Sequence, residues 1–363
     1  MDGGNQPVMG NEQGNRFAAE LLERGASGFA GYAASVMLEK SPEIKQRYQP
    51  DAFANWKTHM TQRILELAAA VSTGEALMFS SRVMWSRKAF LARNQEEDDL
   101  VISLSALREV LAENLPPAAS ADPLDYVDQA LAVLSEARPS LEESELDPSR
   151  THDRLALRYL QTVLEGDVAG AIHELLDATR EGMLPIDVYV KVLLPAQREI
   201  GRLWHLGDVS VAEEHLVSFA TQRAMAVVVQ SVPPGQANGK TVVAAAVAGN
   251  VHDIGLRAVS DVLQMAGWRT IFLGSDMPVQ DLPATLTFFD ADLLVITATL
   301  STQLPRVRQT IRAIRERSDR NVKIMVGGAA FDEAPEVWRK VGADGYAPTI
   351  NAALEVGARL VGL

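Results

Sequence analysis

The chain has 363 residues, of which 47% are hydrophobic and 22% charged, a composition typical of folded proteins with two or three domains. It contains no cysteine, which excludes disulfides, thiolate metal sites and cysteine nucleophiles and predicts a cytoplasmic protein. The net charge is −13, no segment resembles a basic recognition helix, and no apolar run is long enough to cross a bilayer. We therefore expect direct binding neither to nucleic acid nor to a membrane.

The first part of the chain is predicted to be helical. Residues 1–15 are polar and rich in glycine, and we predict that they form a disordered lead. Over residues 16–140, apolar residues recur with a helical period and predict a domain of five or more helices. The dipeptides at 116–117 (Pro-Pro) and 122–123 (Asp-Pro) are predicted to separate the last two helices, because proline ends the helix that precedes it.

Two polar linkers, at 139–153 and 231–240, mark two further domains. Between them, four helical segments predict a four-helix bundle over residues 150–232. Over residues 240–363, apolar runs of strand length alternate with helical segments, which predicts an α/β domain with a doubly wound parallel sheet. Ligands of such sheets bind beyond the carboxyl ends of the strands. The loops expected there are 248–255, 273–278, 297–303 and 327–331.

A single histidine, His252, lies in the first of these loops, within the sequence AGNVHDIG (248–255). A lone histidine at such a position is more often a capping or surface residue than a ligand. Here Gly249 and Gly255 bracket it and allow the backbone to approach a bulky ligand. Asn250 can turn its carbonyl oxygen toward one ring nitrogen, which fixes the tautomer and leaves the other nitrogen free to bind a metal.

Four motifs follow successive predicted strands: NVHDIG, LGSDMP, ITATLS and VGGAAF. Together they resemble the cobalamin-binding domain of methionine synthase, corrinoid methyl carriers and cobalamin photosensors. The resemblance implies that His252 replaces the dimethylbenzimidazole as lower axial ligand of cobalt. Family members usually carry Asp or Glu where this chain has Asn250, which implies a weaker or more exchangeable lower ligand. The cofactor and its nucleotide tail would contact Asn250, Asp253, Ile254, Gly255, Thr297, Thr299, Ser301, Gly327 and Gly328.

A second motif, WHLGDVSVAEEH (204–215), spans a predicted helix end, a turn and a new helix. It resembles the Trp-x9-Glu-His signature of light-sensing adenosylcobalamin regulators. By this resemblance, Trp204 and Val211 surround the adenosyl group, and Glu214 and His215 hydrogen-bond to it. His205 would become a second cobalt ligand once light has released that group.

The ligand change would alter the bundle and the assembly of a homo-oligomer in a light-dependent way. The sequence shows no carboxylate pair, catalytic triad or phosphate loop, so we expect no enzyme activity. The signal is then expected to leave by association or through a separate effector protein.

The helices over residues 16–140 resemble a globin-related sensory module, and such a module fused to a cobalamin photosensor resembles the photocobilins. That resemblance implies biliverdin binding, which must be non-covalent because the chain has no cysteine. Arg82, Trp85 and Arg93 share one predicted helix face that can pair with propionates and stack on a tetrapyrrole, and Trp56 and His59 form a second face. The alternatives are a solvated basic stripe and a haem ligated by His59.

The sequence thus predicts a multidomain photoreceptor. An all-α globin-like domain binds biliverdin, and a four-helix bundle and a Rossmann-like domain bind adenosylcobalamin. Two other functions remain open: a corrinoid methyl carrier that serves a methyltransferase, and a haem-based sensor with a degenerate cobalamin module.

Overall fold

The computed structural model describes residues 9–136, 143–233, 235–318, 321–334 and 336–363, with side chains from residue 14 onward. The chain forms two compact units. The first comprises residues 1–140 together with 333–337, and the second comprises residues 141–332 and 338–363. None of the helices in the described ranges combines the length and the apolar character that a membrane span requires.

The first unit is helical, as the sequence predicts. Its helices are α1 (Met9–Lys40), α2 (Pro42–Arg47), α3 (Ala52–Thr73), α4 (Ala76–Ala92), α5 (Glu97–Asn114) and α6 (Pro117–Leu134). Since α1 begins at Met9, residues 9–15 are helical where the sequence predicted a disordered lead, and residues 1–8 lie outside the described residues. The likeness of this unit to a globin stays a prediction.

One predicted helix boundary in this unit is wrong. The Pro-Pro pair separates α5 from α6, but α6 runs without a break through Asp122 and Pro123. Pro123 cannot donate a backbone hydrogen bond, so the helix forgoes one bond there. The residues that follow, Tyr126, Val127 and Ala130, are buried along one face, and this burial maintains the helix beyond the proline.

The second unit begins with the predicted bundle. It contains α7 (Thr151–Leu164), α8 (Val168–Arg180), α9 (Pro185–Asp187), a π-helical turn (Val188–Leu193), α10 (Leu194–Leu206) and α11 (Val211–Gln230). Gly207 ends α10 with a left-handed φ of 82°. Ser210 then caps α11, and its hydrogen bonds with Glu213 run in both directions. These caps fix the turn that joins α10 to α11.

A five-stranded parallel sheet completes the second unit, with strand order β2-β1-β3-β4-β5. The strands are β1 (Thr241–Val247), β2 (Arg269–Met277), β3 (Leu293–Thr297), β4 (Lys323–Gly327) and β5 (Gly345–Tyr346). The helices around them are α12 (Ile254–Met265), α13 (Leu282–Phe288), α14 (Leu304–Arg317), α15 (Ala329–Asp332), α16 (Val337–Lys340) and α17 (Ile350–Val361). The alternation confirms the predicted Rossmann-like domain.

β2 is longer than the sequence predicts. It continues to Met277, through residues expected to form a loop, and its pairing with β1 is irregular on either side of Ala245. Asp276 lies in this irregular part with a left-handed φ of 52°. Aspartate tolerates this conformation better than most residues, so the strand bends beside the end of β1.

Tyr189 in the π-helical turn connects the bundle to the sheet domain. Its hydroxyl oxygen lies 2.8 Å from the carbonyl oxygen of Met225 and 2.9 Å from Oδ2 of Asp261 in α12. A hydroxyl donates only one hydrogen, so both contacts become full hydrogen bonds when the Asp261 carboxyl is protonated and donates to Tyr189. Burial raises the pKa of Asp261, against the opposing effects of the Tyr189 hydrogen bond and the Arg257 charge.

Replacing Asp261 with asparagine should therefore raise the free energy of unfolding relative to the wild type, and this gain should grow as the pH rises. The folded state holds the carboxyl proton more tightly than the unfolded chain, whose aspartate pKa is about 3.9. The wild type consequently loses stability as the pH increases from that value through the raised folded pKa. An amide does not titrate and still pairs with Tyr189. Urea unfolding at several pH values between about 4 and 8 measures the free energy of unfolding of both proteins. The value for Asp261→Asn should exceed that of the wild type by an amount that grows with pH. A difference independent of pH would contradict this assignment.

Candidate functional site

A cavity of about 1140 Å³ lies within the second unit, between the bundle and the carboxyl ends of the central strands. This is above the usual range of about 300–1000 Å³ for small-molecule sites. Asn250, Ser301 and His205 are not on its wall and are 0%, 2% and 4% exposed. The predicted residues on the wall are Trp204, Val211, Glu214, His215, His252, Asp253, Ile254, Gly255, Thr297, Thr299, Gly327 and Gly328.

The side chain of Asn250 orients His252. Its Nδ2 donates to the carbonyl oxygen of Thr297 at 3.1 Å. Its Oδ1 accepts from the backbone N–H of His252 at 3.1 Å and lies 3.4 Å from the ring Nδ1. Because Nδ2 must face the Thr297 carbonyl, Oδ1 faces the ring, and the neutral imidazole carries its hydrogen on Nδ1. Nε2 then keeps the lone pair that a metal ligand needs. A carboxylate at position 250 could not donate to Thr297.

Two residues that the sequence did not single out hold the same loop from both sides. Gln303, which is buried, accepts the N–H groups of Thr299 and Leu300 at 2.8 and 3.1 Å and donates from Nε2 to the carbonyl oxygen of Gly249 at 3.0 Å. Asp276 accepts the N–H of Gly249 at 2.7 Å. Sequence patterns could not reveal the contacts of Gln303 and Asp276 with Gly249, because the groups they meet are backbone atoms of a residue distant in the chain.

The loop after β4 depends on glycine. Gly328 has a φ of 98°, and a Cβ added there would lie 2.4 Å from the carbonyl oxygen of Ala298. A Cβ at Gly327 would lie 3.0 Å from the carbonyl oxygen of Ala347. The glycine pair therefore lets this loop approach the neighbouring strand ends where the cavity is walled.

Gly328→Ala should lower the free energy of unfolding by about 1–3 kcal/mol or more, because the residue would combine a strained φ with a backbone clash. Gly255→Ala is the matched control, since a Cβ there meets no atom within 4 Å and Gly255 also lines the cavity. Thermal unfolding followed by circular dichroism measures both variants. Equal stability of the two would show that the loop relaxes around the added methyl group.

The cavity wall also contains a polar atom without a protein partner. The Thr297 hydroxyl is buried and makes no hydrogen bond among the described residues. Leaving such a group unpaired costs about 1–3 kcal/mol. At Gly249 and Gly255 an added Cβ would meet only open space. The histidine has a fixed tautomer, the glycines leave open space, and the hydroxyl needs a partner. Together these features suit a bulky cofactor that contains a metal and carries polar substituents.

The part of the wall opposite the strand ends comes from α10 and α11. His215 Nδ1 lies 2.7 Å from Oε2 of Glu214, and Ser218 donates to the other carboxylate oxygen at 2.6 Å. Trp204 and Val211 line the same cavity. His205, predicted to become a second cobalt ligand, is buried away from the cavity wall in this structure, so that role stays a prediction.

The residues predicted to hold a bilin pack among protein side chains of the first unit. Trp56 is buried and His59 is half-buried, with ring centroids 5.3 Å apart. Burial and the nearby Arg63 charge lower the pKa of His59 to about 3, so the ring is neutral. Arg82 lies over Trp85, 4.9 Å from the ring centroid.

A cavity of about 610 Å³ in the first unit has Ser27, Phe53 and Gln62 on its wall. None of Trp56, His59, Arg82, Trp85 and Arg93 lines that cavity. The alternative reading of Arg82, Arg87, Lys88 and Arg93 as a solvated basic stripe is wrong for Arg87, which is buried and pairs with Glu97 at 2.7 Å.

Comparisons with known proteins agree with the geometry of the second unit. A family model described as a B12 binding domain matches residues 240–355, and a second B12 binding domain model matches residues 155–228. The structure of the monomethylamine corrinoid protein of Methanosarcina barkeri superposes with a TM-score of 0.51 at 21% identity. It covers 58% of this chain and 100% of that chain, and this likeness shows the fold alone.

Two curated relatives are similar in sequence. Dimethylamine corrinoid protein 1 of Methanosarcina acetivorans is 31% identical over 181 residues, which are 49% of this chain and 84% of that protein. Dimethylamine corrinoid protein 3 of Methanosarcina mazei is 30% identical over 167 residues, which are 45% of this chain and 98% of that protein. The predicted cobalamin-binding module is confirmed, and the chain belongs to the family of corrinoid proteins with B12 binding domains.

Proposed function

We propose that a cobalt corrinoid binds in the large cavity, with His252 as the lower ligand. The observation that carries this proposal is the Asn250 amide, which directs its oxygen to the ring and leaves Nε2 with a free lone pair. Thr297 offers, in the same wall, a hydroxyl that no described residue pairs with. The cofactor supplies cobalt–carbon chemistry that protein side chains lack. Asp253, Ile254, Gly255, Thr299, Gly327 and Gly328 would enclose the corrin and its nucleotide tail, with Ser301 buried behind them.

The relatives favour a carrier function for this corrinoid. They are named as dimethylamine corrinoid proteins, and they match the chain across most of their own length. By analogy, this chain would present its corrinoid to a separate methyltransferase and would not be the catalyst itself. The protein's own residues then bind the cofactor, orient it through His252 and shield it from water, and the partner acts on the exposed face.

Light sensing with adenosylcobalamin is the second candidate, and a specific observation favours it. Trp204, Val211, Glu214 and His215 line the same cavity as His252. A large aromatic ring beside a hydrogen-bonded Glu-His pair suits the base and sugar of an adenosyl group better than it suits open access for a methyl donor. Under this function His205 would have to leave its buried position after photolysis, with a change in homo-oligomeric assembly or in binding of an effector.

The light-sensing function includes biliverdin in the first unit. Its support is the cluster on α3 and α4, where the ring nitrogens Trp56 Nε1 and His59 Nε2 are buried and find no hydrogen-bond partner in the described part of the chain. Haem ligation by His59 uses the same atom and is the alternative. Absorption spectra after addition of biliverdin or haemin distinguish them: biliverdin gives a long-wavelength band, and haem gives a Soret band whose position His59→Ala shifts.

One set of samples separates the carrier from the light sensor. The protein is loaded in the dark with methylcobalamin or adenosylcobalamin, and its affinity, absorption spectrum and elution volume are measured before and after green light. A light sensor binds adenosylcobalamin more tightly and changes elution volume on illumination. A carrier binds methylcobalamin at least as tightly, keeps its elution volume, and exchanges methyl groups when a methylamine methyltransferase is added. Binding of neither corrinoid would overturn both functions.

A further inference from the structure

Gln303 binds two loops of the cavity with a single amide group. Its Oε1 accepts the backbone N–H groups of Thr299 and Leu300, and its Nε2 donates to the carbonyl oxygen of Gly249. The two N–H donors fix which end of the amide carries the oxygen, so the nitrogen must face Gly249. Gln303 is 5% exposed, and water therefore competes little for these bonds.

Gly249 anchors the loop that contains His252. Its left-handed φ of 81° turns the chain at the end of β1. Its N–H donates to Asp276 and its carbonyl accepts from Gln303, so this part of the backbone is held from both sides. Asn250 follows directly and contacts the His252 ring. A shift of the Gly249 carbonyl would therefore change the position of His252.

The other end of the Gln303 amide holds the loop after β3. Thr299 lines the cavity in the region that the proposed function gives to the nucleotide tail. The same planar amide also contacts the Gly249 carbonyl. Gln303, at the end of the loop after β3, thus joins that loop to the loop that contains His252 through a single group.

We propose that Gln303 is a positioning residue that couples binding of the nucleotide tail to placement of His252 at cobalt. The proposal rests on the proposed function, in which His252 is the cobalt ligand. A corrinoid with its tail would order the loop at Thr299 and, through Gln303, hold His252 at the metal. A corrinoid without the tail would not use this connection.

The test compares cobalamin with cobinamide, which lacks the nucleotide tail. Gln303→Glu keeps an oxygen for Thr299 and Leu300 but places a carboxylate oxygen where the donor to Gly249 stood. Gln303→Met removes all three bonds and keeps the side-chain length. Gln309→Glu, an exposed change on α14, the helix that follows Gln303, is the charge control. Affinity is measured by absorbance titration. Histidine ligation is measured in protein labelled with 15N-histidine, because the nitrogen splitting in the electron paramagnetic resonance spectrum of the cobalt(II) form is then a doublet and differs from the 14N triplet of dimethylbenzimidazole.

With cobalamin, both Gln303 variants should lose the histidine nitrogen splitting and bind about 10-fold more weakly. Their affinity for cobinamide should change by less than about twofold. Gln309→Glu should match the wild type. Equal losses of affinity for cobalamin and cobinamide would show that Gln303 has a merely structural role and would overturn the proposal. A loss confined to Gln303→Glu would also overturn it, because the introduced charge would then be the cause. Absence of nitrogen splitting in the wild type would overturn the His252 assignment itself.

Discussion

His252→Ala should abolish histidine ligation of cobalt and weaken cobalamin binding by at least about 100-fold. The expected loss is large because the side chain supplies the only lower ligand in the proposed site. The tautomer that Asn250 enforces gives the ring a single free lone pair for this role. The measurement is the absorption spectrum of bound hydroxocobalamin, together with the 15N-histidine splitting in the cobalt(II) form.

His173→Ala is the matched control for this prediction. His173 lies exposed on α8, and its Nδ1 contacts the carbonyl oxygen of Ala169 in the same helix. Its removal should change neither the spectrum nor the affinity. A wild-type spectrum in His252→Ala would refute the lower-ligand assignment and leave the cavity without its proposed metal contact.

Trp204→Ala should weaken adenosylcobalamin binding by about 10- to 100-fold, the range expected when a large aromatic anchor is removed from a pocket. Hydroxocobalamin lacks the adenosyl group and should lose less than about threefold. The reason is that Trp204 lines the cavity together with Glu214 and His215 on the side opposite the strand ends. Titrations of the dark protein with each corrinoid measure the two losses.

Trp338→Ala provides the comparison for general loss of aromatic packing, since Trp338 is partly buried in α16 and does not line the cavity. It should leave both affinities unchanged. If Trp204→Ala loses affinity equally for adenosylcobalamin and hydroxocobalamin, Trp204 is a residue of the bundle core. That outcome would remove the observation that favours light sensing and strengthen the carrier function.

The periodicity of the sequence was sufficient to predict the bundle and the sheet. An apolar run such as β1 is buried on both faces, and the helices between strands carry the spacing of one buried face. Parallel strands bring their carboxyl ends to one edge, so motifs far apart in the chain were expected to meet there. Twelve of the predicted residues do line one cavity. Local proline rules were less reliable, since burial overrode the break expected at Pro123.

The sequence by itself determined the class of fold, the loops that form the site and the family resemblance, because these depend on residue type and spacing along the chain. The sequence also pointed to Asn250 as the partner of the His252 ring, but only the tertiary structure decided which other groups hold this loop in place. Gln303 and Asp276 act on Gly249 through backbone atoms, and every residue offers the same backbone groups. The burial of His205 and the contact between Tyr189 and Asp261 likewise depend on how helices pack, which no local pattern encodes.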